Sequence, residues 1–201
     1  MKKIKLLIIS LFMMLIMFGA SSVYAGYQEC NSMNFDIRLN SDGTMDVIET
    51  WDIFVEETNT LFMEFITDIS KYTSVENVEV KEITGLGNVK PLTQIYEEMY
   101  HVTDNCYYAL IKSDGNFEIA WGTGLENSSA RKTYQISYKI IDAIKTYNDC
   151  SELYWKFISG NRSYYIENVK GTIRLENGVV DKNNLRAWAH GPLNRKCNNY
   201  K

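Results

Sequence analysis

The residues best suited to chemistry concentrate in one stretch of the chain and one later segment. Asp149 and Glu152 lie three positions apart beside Trp155, and His190 precedes a Gly-Pro pair. Two carboxylates at this spacing can act as acid and base or bind a hard cation, and a histidine can serve as a base or a metal ligand. Asp149, Glu152, Trp155 and His190 therefore form the candidate functional cluster, and an unrecognised hydrolase is one function hypothesis.

A structural role explains the same residues more simply. An acid followed by Leu-Tyr-Trp is typical of a turn whose carboxylate caps backbone amides while the aromatic rings fill the core. A lone histidine before Gly-Pro more often hydrogen-bonds to a turn. The sequence contains no Gly-x-Ser-x-Gly or His-Glu-x-x-His motif, and its two Gly-x-Gly segments lack the lysine and helix of a phosphate loop. We therefore expect no catalytic residue, cofactor or metal ion, and no enzymatic activity.

Tyrosine and tryptophan residues suggest a second kind of function. Flat apolar rings with polar tips can bind sugars or peptides on a β-sandwich surface. Filling of the core by alternate rings is the favoured explanation, but in a strand each Tyr-Tyr pair must point one ring outward. The aromatic residues considered are Tyr107, Tyr108, Trp121, Tyr154, Trp155, Tyr164 and Tyr165.

The N-terminus has the three-part pattern of a bacterial-type signal peptide. Three lysines within the first five residues precede an apolar run from Leu6 to Phe18, and small residues at Val23 and Ala25 suit a signal peptidase. The apolar run is shorter than the roughly 20 residues that a membrane-spanning helix needs. We expect residues 1–25 to be removed and residues 26–201 to form one extracytoplasmic domain, either secreted or at the outer face of the cytoplasmic membrane.

The charge of the chain limits its expected binding partners, and its cysteines limit the possible disulfides. The leader holds three of the 21 basic residues and none of the 25 acidic ones, so the mature chain carries 18 against 25, a net charge of −7. Nucleic acid is therefore not an expected partner. Export permits disulfides, and Cys30 and Cys197 could join the chain ends, but free thiols at these two positions and at Cys106 and Cys150 are an equal alternative.

Most of the mature chain alternates apolar and polar residues with the period of two that is typical of strands. Residues 34–39 and 44–56 flank an Asp-Gly turn and predict a hairpin, although Glu49 interrupts the apolar face of the second strand. Further strands are expected along the rest of the chain. Residues 91–100 could be helical, and residues 148–157 could contain an irregular segment or a short helical turn. The expected strands are residues 61–66, 75–83, 105–111, 117–121, 133–141 and 169–175.

Many short strands and little helix favour an antiparallel β-sandwich, immunoglobulin-like or jelly-roll-like. Its two sheets should share one apolar interior. The residues expected to face that interior are Phe35, Val47, Trp51, Tyr134, Tyr138 and Ile173.

Three segments together resemble a known family. They read NSDGTMDVIETWDI from Asn40, YQISYKIIDAIKTYNDCSELYWKFISGN from Tyr134 and AWAHGPLN from Ala187. In this order they are similar to domain of unknown function 2207, a family of predicted membrane proteins. The resemblance spans about residues 33–194 and implies an extracellular β domain that transmembrane helices usually follow. The biochemical role of the family is unknown, so the resemblance implies a location and a fold but does not indicate an activity.

The chain departs from that layout because it stops soon after the His-Gly-Pro segment. We expect either a secreted short form or a chain that lacks its last strands. Missing strands would expose a sheet edge, which invites pairing with another chain. The first function hypothesis is thus a non-enzymatic interaction or sensing domain that binds an unknown protein or cell-envelope ligand, and that is marginally stable or self-associating when alone.

Overall fold

The computed structural model describes residues 26–68, 70–158, 164–178, 181 and 183–188. The predicted signal peptide, residues 1–25, lies outside these ranges. Within them, no helix is long and apolar enough to cross a membrane. The strands are β1 (Gln28–Leu39), β2 (Met45–Glu56), β3 (Thr60–Phe65), β4 (Ser74–Thr84), β5 (Asn88–Pro91), β6 (Thr93–Ile95), β7 (Cys106–Ile111), β8 (Phe117–Gly122), β9 (Ser129–Ile141), β10 (Ile144–Thr146), β11 (Ser151–Leu153) and β12 (Ile166–Leu175).

Two sheets form the body of the fold, and they confirm the predicted β-sandwich. The larger sheet has the strand order β12-β1-β2-β9-β4-β5, and the smaller has the order β3-β8-β7-β6. Strands β10 and β11 form a separate hairpin. Pairing is antiparallel throughout these sheets except at two edges, where β12 joins β1 and β6 joins β7 in parallel.

The first hairpin follows from its sequence. Apolar residues alternate along β1 and β2, and Leu39 pairs with Met45 across the turn. Gly43 has φ of +85°, a conformation that glycine adopts without the cost that a Cβ would add. The carboxylate of Asp42 accepts hydrogen bonds from the backbone N–H and the hydroxyl of Thr44. The predicted hairpin is therefore confirmed, together with the reason for its turn.

Asp46, one residue into β2, is the centre of an ion-pair cluster on the hairpin. Arg38 Nη2 lies 2.7 Å from its Oδ2, and Lys139 Nζ lies 2.8 Å from its Oδ1. The side-chain amide of Asn40 donates a third hydrogen bond, at 3.0 Å. Partial burial opposes ionisation, but hydrogen bonds from Lys139, Asn40 and Arg38 outweigh it and lower the pKa of Asp46 to about 2.

This cluster predicts an acid-dependent loss of stability. A carboxylate whose pKa is lowered on folding stabilises the folded state above its unfolded pKa, and that contribution is lost as the pH falls through the folded value. We expect the free energy of unfolding to fall by at most about 2 kcal/mol from this group between pH 4 and pH 2. Urea titrations at several pH values should show a shallower acid loss for Asp46→Asn than for wild type, and no change of slope for the exposed-loop control Glu126→Gln. Equal slopes for wild type and Asp46→Asn would contradict the assignment.

A cluster of aromatic rings joins the two sheets. Trp51 of β2 contacts Trp121 of β8 edge to face at a centroid distance of 5.2 Å, and Trp121 contacts Tyr134 of β9 at 5.7 Å. Phe65 of β3 and Tyr138 of β9 make a similar contact at 5.1 Å. Such pairs add about 0.5–1.5 kcal/mol each beyond the area they bury. Of the six residues expected to face the interior, Phe35, Val47, Trp51, Tyr134 and Tyr138 are buried as predicted.

Glu49 is a buried acid on the core face of β2. Its side chain is only 1% exposed. The carboxylate accepts a 2.7 Å hydrogen bond from Trp51 Nε1 and a 2.6 Å hydrogen bond from the Tyr138 hydroxyl. The interruption of the apolar pattern at this position is therefore a polar connection between β2 and β9 inside the core.

The prediction is wrong for the sixth expected core residue, Ile173, which is not buried. It pairs with the buried Ile37 and so lies on the inner face of the sheet, yet it is 48% exposed. Strand β12 lies at the edge of the larger sheet, and the packed layer does not cover its inner face. The alternation of the sequence predicts the correct face of β12. Whether that face is buried depends on how far the opposite sheet extends over it.

The prediction of helix at residues 91–100 is also wrong, because these residues contain the end of β5, the short strand β6 and turns. Residues 148–157 contain bends and irregular segments around the short strand β11, which agrees with the irregular alternative and not with a helical turn. β6 runs parallel to β7 at the edge of the smaller sheet. The parallel pairing of β6 with β7 depends on the tertiary fold, which here overrides local propensity.

Candidate functional site

The described residues of the predicted cluster do not share one environment: one packs against the core and two lie on the surface. Asp149 lies in the exposed turn of the β10–β11 hairpin, and Glu152 lies in β11 with its side chain exposed. Trp155 packs edge to face on Tyr72 at 5.4 Å and contacts Phe65 at 6.4 Å. Trp155 thus belongs to the core boundary, as its structural explanation predicts. His190 lies outside the described residues.

The thiol of Cys150 lies between the two acids. Cys150 is exposed at the hairpin turn. Desolvation and the neighbouring Asp149 raise the pKa of its thiol. Because the thiolate is the reactive form, a raised pKa lowers its population at neutral pH. In the described residues no three His, Cys, Asp or Glu side chains meet as a metal site would require.

Glu152 instead lines a cleft beside the hairpin, which we call the tyrosine cleft. Its volume is about 290 Å³. The rings of Tyr147 and Tyr154 stand at its wall and are 54% and 66% exposed. The full lining is Ser70, Lys71, Ala143, Lys145, Tyr147, Glu152 and Tyr154.

Each lysine of the tyrosine cleft has an acid near it. Lys71 Nζ lies 3.0 Å from Asp68 Oδ2 and 5.4 Å from the centroid of the Tyr154 ring. Asp68 and Tyr154 both contribute to raising the pKa of Lys71, Asp68 the more strongly. Lys145 of β10 is the cross-strand neighbour of Glu152. The cleft therefore presents tyrosine rings, ammonium donors and one carboxylate acceptor with balanced charge.

Sequence reasoning found only part of this cleft. It named Glu152 and Tyr154 but missed Lys71, Lys145 and Tyr147, because the lining comes from three separate segments of the chain. The short β10–β11 pairing brings two of those segments together, and no local motif announces it.

Most of the other aromatic residues fill cores. Trp121 and Tyr107 are buried in the main core, and Tyr108 is buried on the opposite face of β7 in a second small cluster with Val102 and Ala120. The two rings point to opposite faces of β7, as expected for neighbours in a strand, but the outward ring of Tyr108 is not available to a ligand, because residues around Val102 cover it. Tyr164 packs against the main core, whereas Tyr165 is 61% exposed.

A larger cleft, of about 510 Å³, lies beside the last residues of β4 and the first residues of β9, next to Asp52 of β2. Its charges are satisfied within the protein. Arg131 makes a two-pronged contact with Asp52 at 2.6 and 2.8 Å, and Lys132 Nζ lies 3.0 Å from Glu82. No aromatic ring of the described residues lines this larger cleft, whereas two exposed tyrosine rings line the tyrosine cleft. The larger cleft therefore offers less apolar contact to a ligand.

Strand β12 forms a surface of a different kind, which we call the β12 edge. It is a ten-residue strand, and among the described strands it has a partner, β1, on one side only. Val169, Ile173 and Leu175 share its inner face, which continues the face of buried Phe35 and Ile37, and they are 45–50% exposed. A long edge strand with an apolar face is a template for pairing with another chain.

The other sheet edges are short or modified. β5, at the opposite edge of the larger sheet, has four residues and includes Lys90 and Pro91. The edges of the smaller sheet are β3 with six residues and β6 with three. Short strands, lysine and proline are the devices by which proteins prevent edge pairing. Among the described edges, β12 is therefore the one best suited to accept another strand.

The cysteines give a partial answer on disulfides. Cys106 and Cys150 are free thiols, so no bond joins these two. Cys30 is buried in β1. Cys197 lies outside the described residues, and the Cys30–Cys197 pairing stays a prediction.

Comparison with known proteins supplies the family and little else. No curated protein matches this chain. A solved structure from Parabacteroides distasonis, described as a "putative protease", aligns at 13% identity over 56% of this chain and 22% of its own, with a TM-score of 0.31. The sequence profile of the predicted membrane protein (DUF2207) N-terminal domain matches residues 29–201. The family resemblance noted in the sequence is thereby confirmed, and the chain belongs to the family of predicted membrane proteins defined by the DUF2207 N-terminal domain.

Proposed function

We propose that this domain is a non-enzymatic interaction module on the outer side of the cytoplasmic membrane, and that it binds a second copy of itself by strand addition at the β12 edge. The observation that carries the proposal is the ten-residue strand β12, which has a half-exposed apolar face and pairs with β1 on one side but with no described strand on the other. Strand addition satisfies the free backbone groups of an edge and covers its apolar side chains at the same time.

The sequence of β12 favours one register for this pairing. Antiparallel pairing centred on Gly171 places Val169 opposite Ile173 twice, on the inner face, and Lys170 opposite Thr172. Apolar cross-strand pairs stabilise by roughly 0.2–1 kcal/mol each relative to alanine pairs, whereas like charges directly opposite destabilise. The pairing therefore joins the exposed apolar residues without opposing two cations.

Neighbouring registers are less favourable. Centring the pair on Lys170 places that residue opposite its own copy, and centring it on Thr172 places Lys170 opposite Arg174. Both arrangements oppose two positive charges. Like any antiparallel self-pairing of one strand centred on a residue, the register centred on Gly171 has two-fold symmetry, which closes the assembly as a dimer and does not leave an open fibre.

Solution mass tests the proposal. Sedimentation equilibrium of the mature chain over a range of concentrations should show a reversible monomer–dimer equilibrium. A single monomeric species at all concentrations would contradict self-association. A continuous series of larger species would contradict the closed register.

A further inference from the structure

We propose that the tyrosine cleft is a binding site for a neutral saccharide. The cleft shares no lining residue with β12, so this activity is separate from the proposed pairing of two copies. The inference depends on three features of the lining, namely its exposed rings, its paired donors and acceptor, and its charge.

The tyrosine rings provide the apolar contact. Tyr147 and Tyr154 are more than half exposed although tyrosine usually buries its ring, and they come from opposite sides of the β10–β11 hairpin. The C–H face of a pyranose is flat and weakly apolar, and a ring with a polar tip suits such a wet ligand. Lys71 Nζ lies 5.4 Å from the centroid of the Tyr154 ring, which nevertheless stays 66% exposed.

Lys145 and Glu152 provide the polar contacts. They are cross-strand neighbours and both line the cleft. An ammonium group only donates hydrogen bonds and a carboxylate only accepts them. A pair of adjacent hydroxyl groups, each able to do both, can bridge such a donor and acceptor. Ser70 adds a hydroxyl to the same wall.

Charge and size select the class of ligand. The positive charges of Lys71 and Lys145 are balanced by Asp68 and Glu152, and the mature chain is acidic overall. An anionic polymer would therefore meet no net attraction. At about 290 Å³ the cleft lies at the small end of ligand pockets, which span about 300–1,000 Å³. It fits one or two sugar rings better than a folded polypeptide surface.

The test is titration of the mature chain with neutral trisaccharides of glucose, galactose, mannose and N-acetylglucosamine, followed by nuclear magnetic resonance. At least one should bind saturably below about 10 mM. Tyr147→Ala and Tyr154→Ala should each weaken binding about 3–10-fold, as expected for loss of one ring contact. Glu152→Gln should weaken it as well, with unchanged thermal stability.

Tyr96→Ala is the matched control, because Tyr96 is 83% exposed and does not line the cleft. It should bind as wild type does. Trigalacturonate and a tyrosine-rich or proline-rich peptide complete the panel as acidic and peptide competitors. Absence of saturable binding by every neutral sugar overturns the proposal, as does tighter binding of the acidic sugar or the peptide. Dimerisation is measured separately, so either result stands without the other.

Discussion

Replacing Glu49 by alanine is expected to lower the free energy of unfolding by about 2–6 kcal/mol, because two buried donors lose their acceptor and each such loss costs about 1–3 kcal/mol. The donors are Trp51 Nε1 and the Tyr138 hydroxyl, at 2.7 and 2.6 Å. A loss of this size approaches the whole stability of a typical domain, about 5–15 kcal/mol. Urea denaturation followed by far-ultraviolet circular dichroism measures it without relying on Trp51 fluorescence.

Two variants make this result specific. Glu56→Ala removes an exposed acid from the end of the same strand, and the change should stay within about 0.5 kcal/mol. Glu49→Gln keeps one side-chain oxygen as an acceptor and should destabilise less than Glu49→Ala. If Glu49→Ala and Glu56→Ala unfold at the same urea concentration, the buried carboxylate does not hold β2 to β9.

Glu49 also illustrates how far sequence reasoning reaches. Alternation along residues 44–56 identifies the core face of β2 and the acid that interrupts it. The reason the core tolerates an acid is a tyrosine 89 positions away, on β9. A contact between strands depends on their pairing, and pairing is set by the whole fold and not by the local pattern.

The second large effect concerns the β12 edge. Ile173→Lys is expected to weaken dimerisation at least about 100-fold, because each of the two symmetric Val169–Ile173 contacts would bury an ammonium group against an apolar neighbour. Ile173 is already 48% exposed in the single chain, so the folded monomer should lose little stability. Sedimentation of the variant beside wild type, with a urea titration of each, separates the two effects.

Phe62→Lys is the matched control for this variant. Phe62 is an exposed apolar residue, 59% accessible, on an edge strand of the other sheet. The substitution adds the same charge at a position outside the proposed interface. Dimerisation should therefore persist in Phe62→Lys. Equal weakening by both lysine substitutions would show that added charge, and not the β12 edge, controls association.

The sequence predicts more of the β12 edge than of the tyrosine cleft. The alternation of residues 169–175 predicts a strand and its apolar face, whereas the position of that strand at the edge of the sheet follows from the pairing of the whole fold. The prediction that Ile173 is buried is wrong because no pattern within β12 shows whether the other sheet covers the apolar face of this strand. The tyrosine cleft was found only at Glu152 and Tyr154, since Lys71 and Tyr147 approach through turns whose geometry the sequence does not specify.

Amide hydrogen exchange at two protein concentrations tests strand addition most directly. Backbone N–H groups at the edge of β12 that has no described partner strand should exchange quickly in the monomer and become protected when another strand pairs with them. At high concentration, residues 166–175 should gain protection while β5, the short edge strand at residues 88–91, does not change. Exchange in β12 that is the same at both concentrations, under conditions where the dimer forms, would place the contact elsewhere and contradict the account.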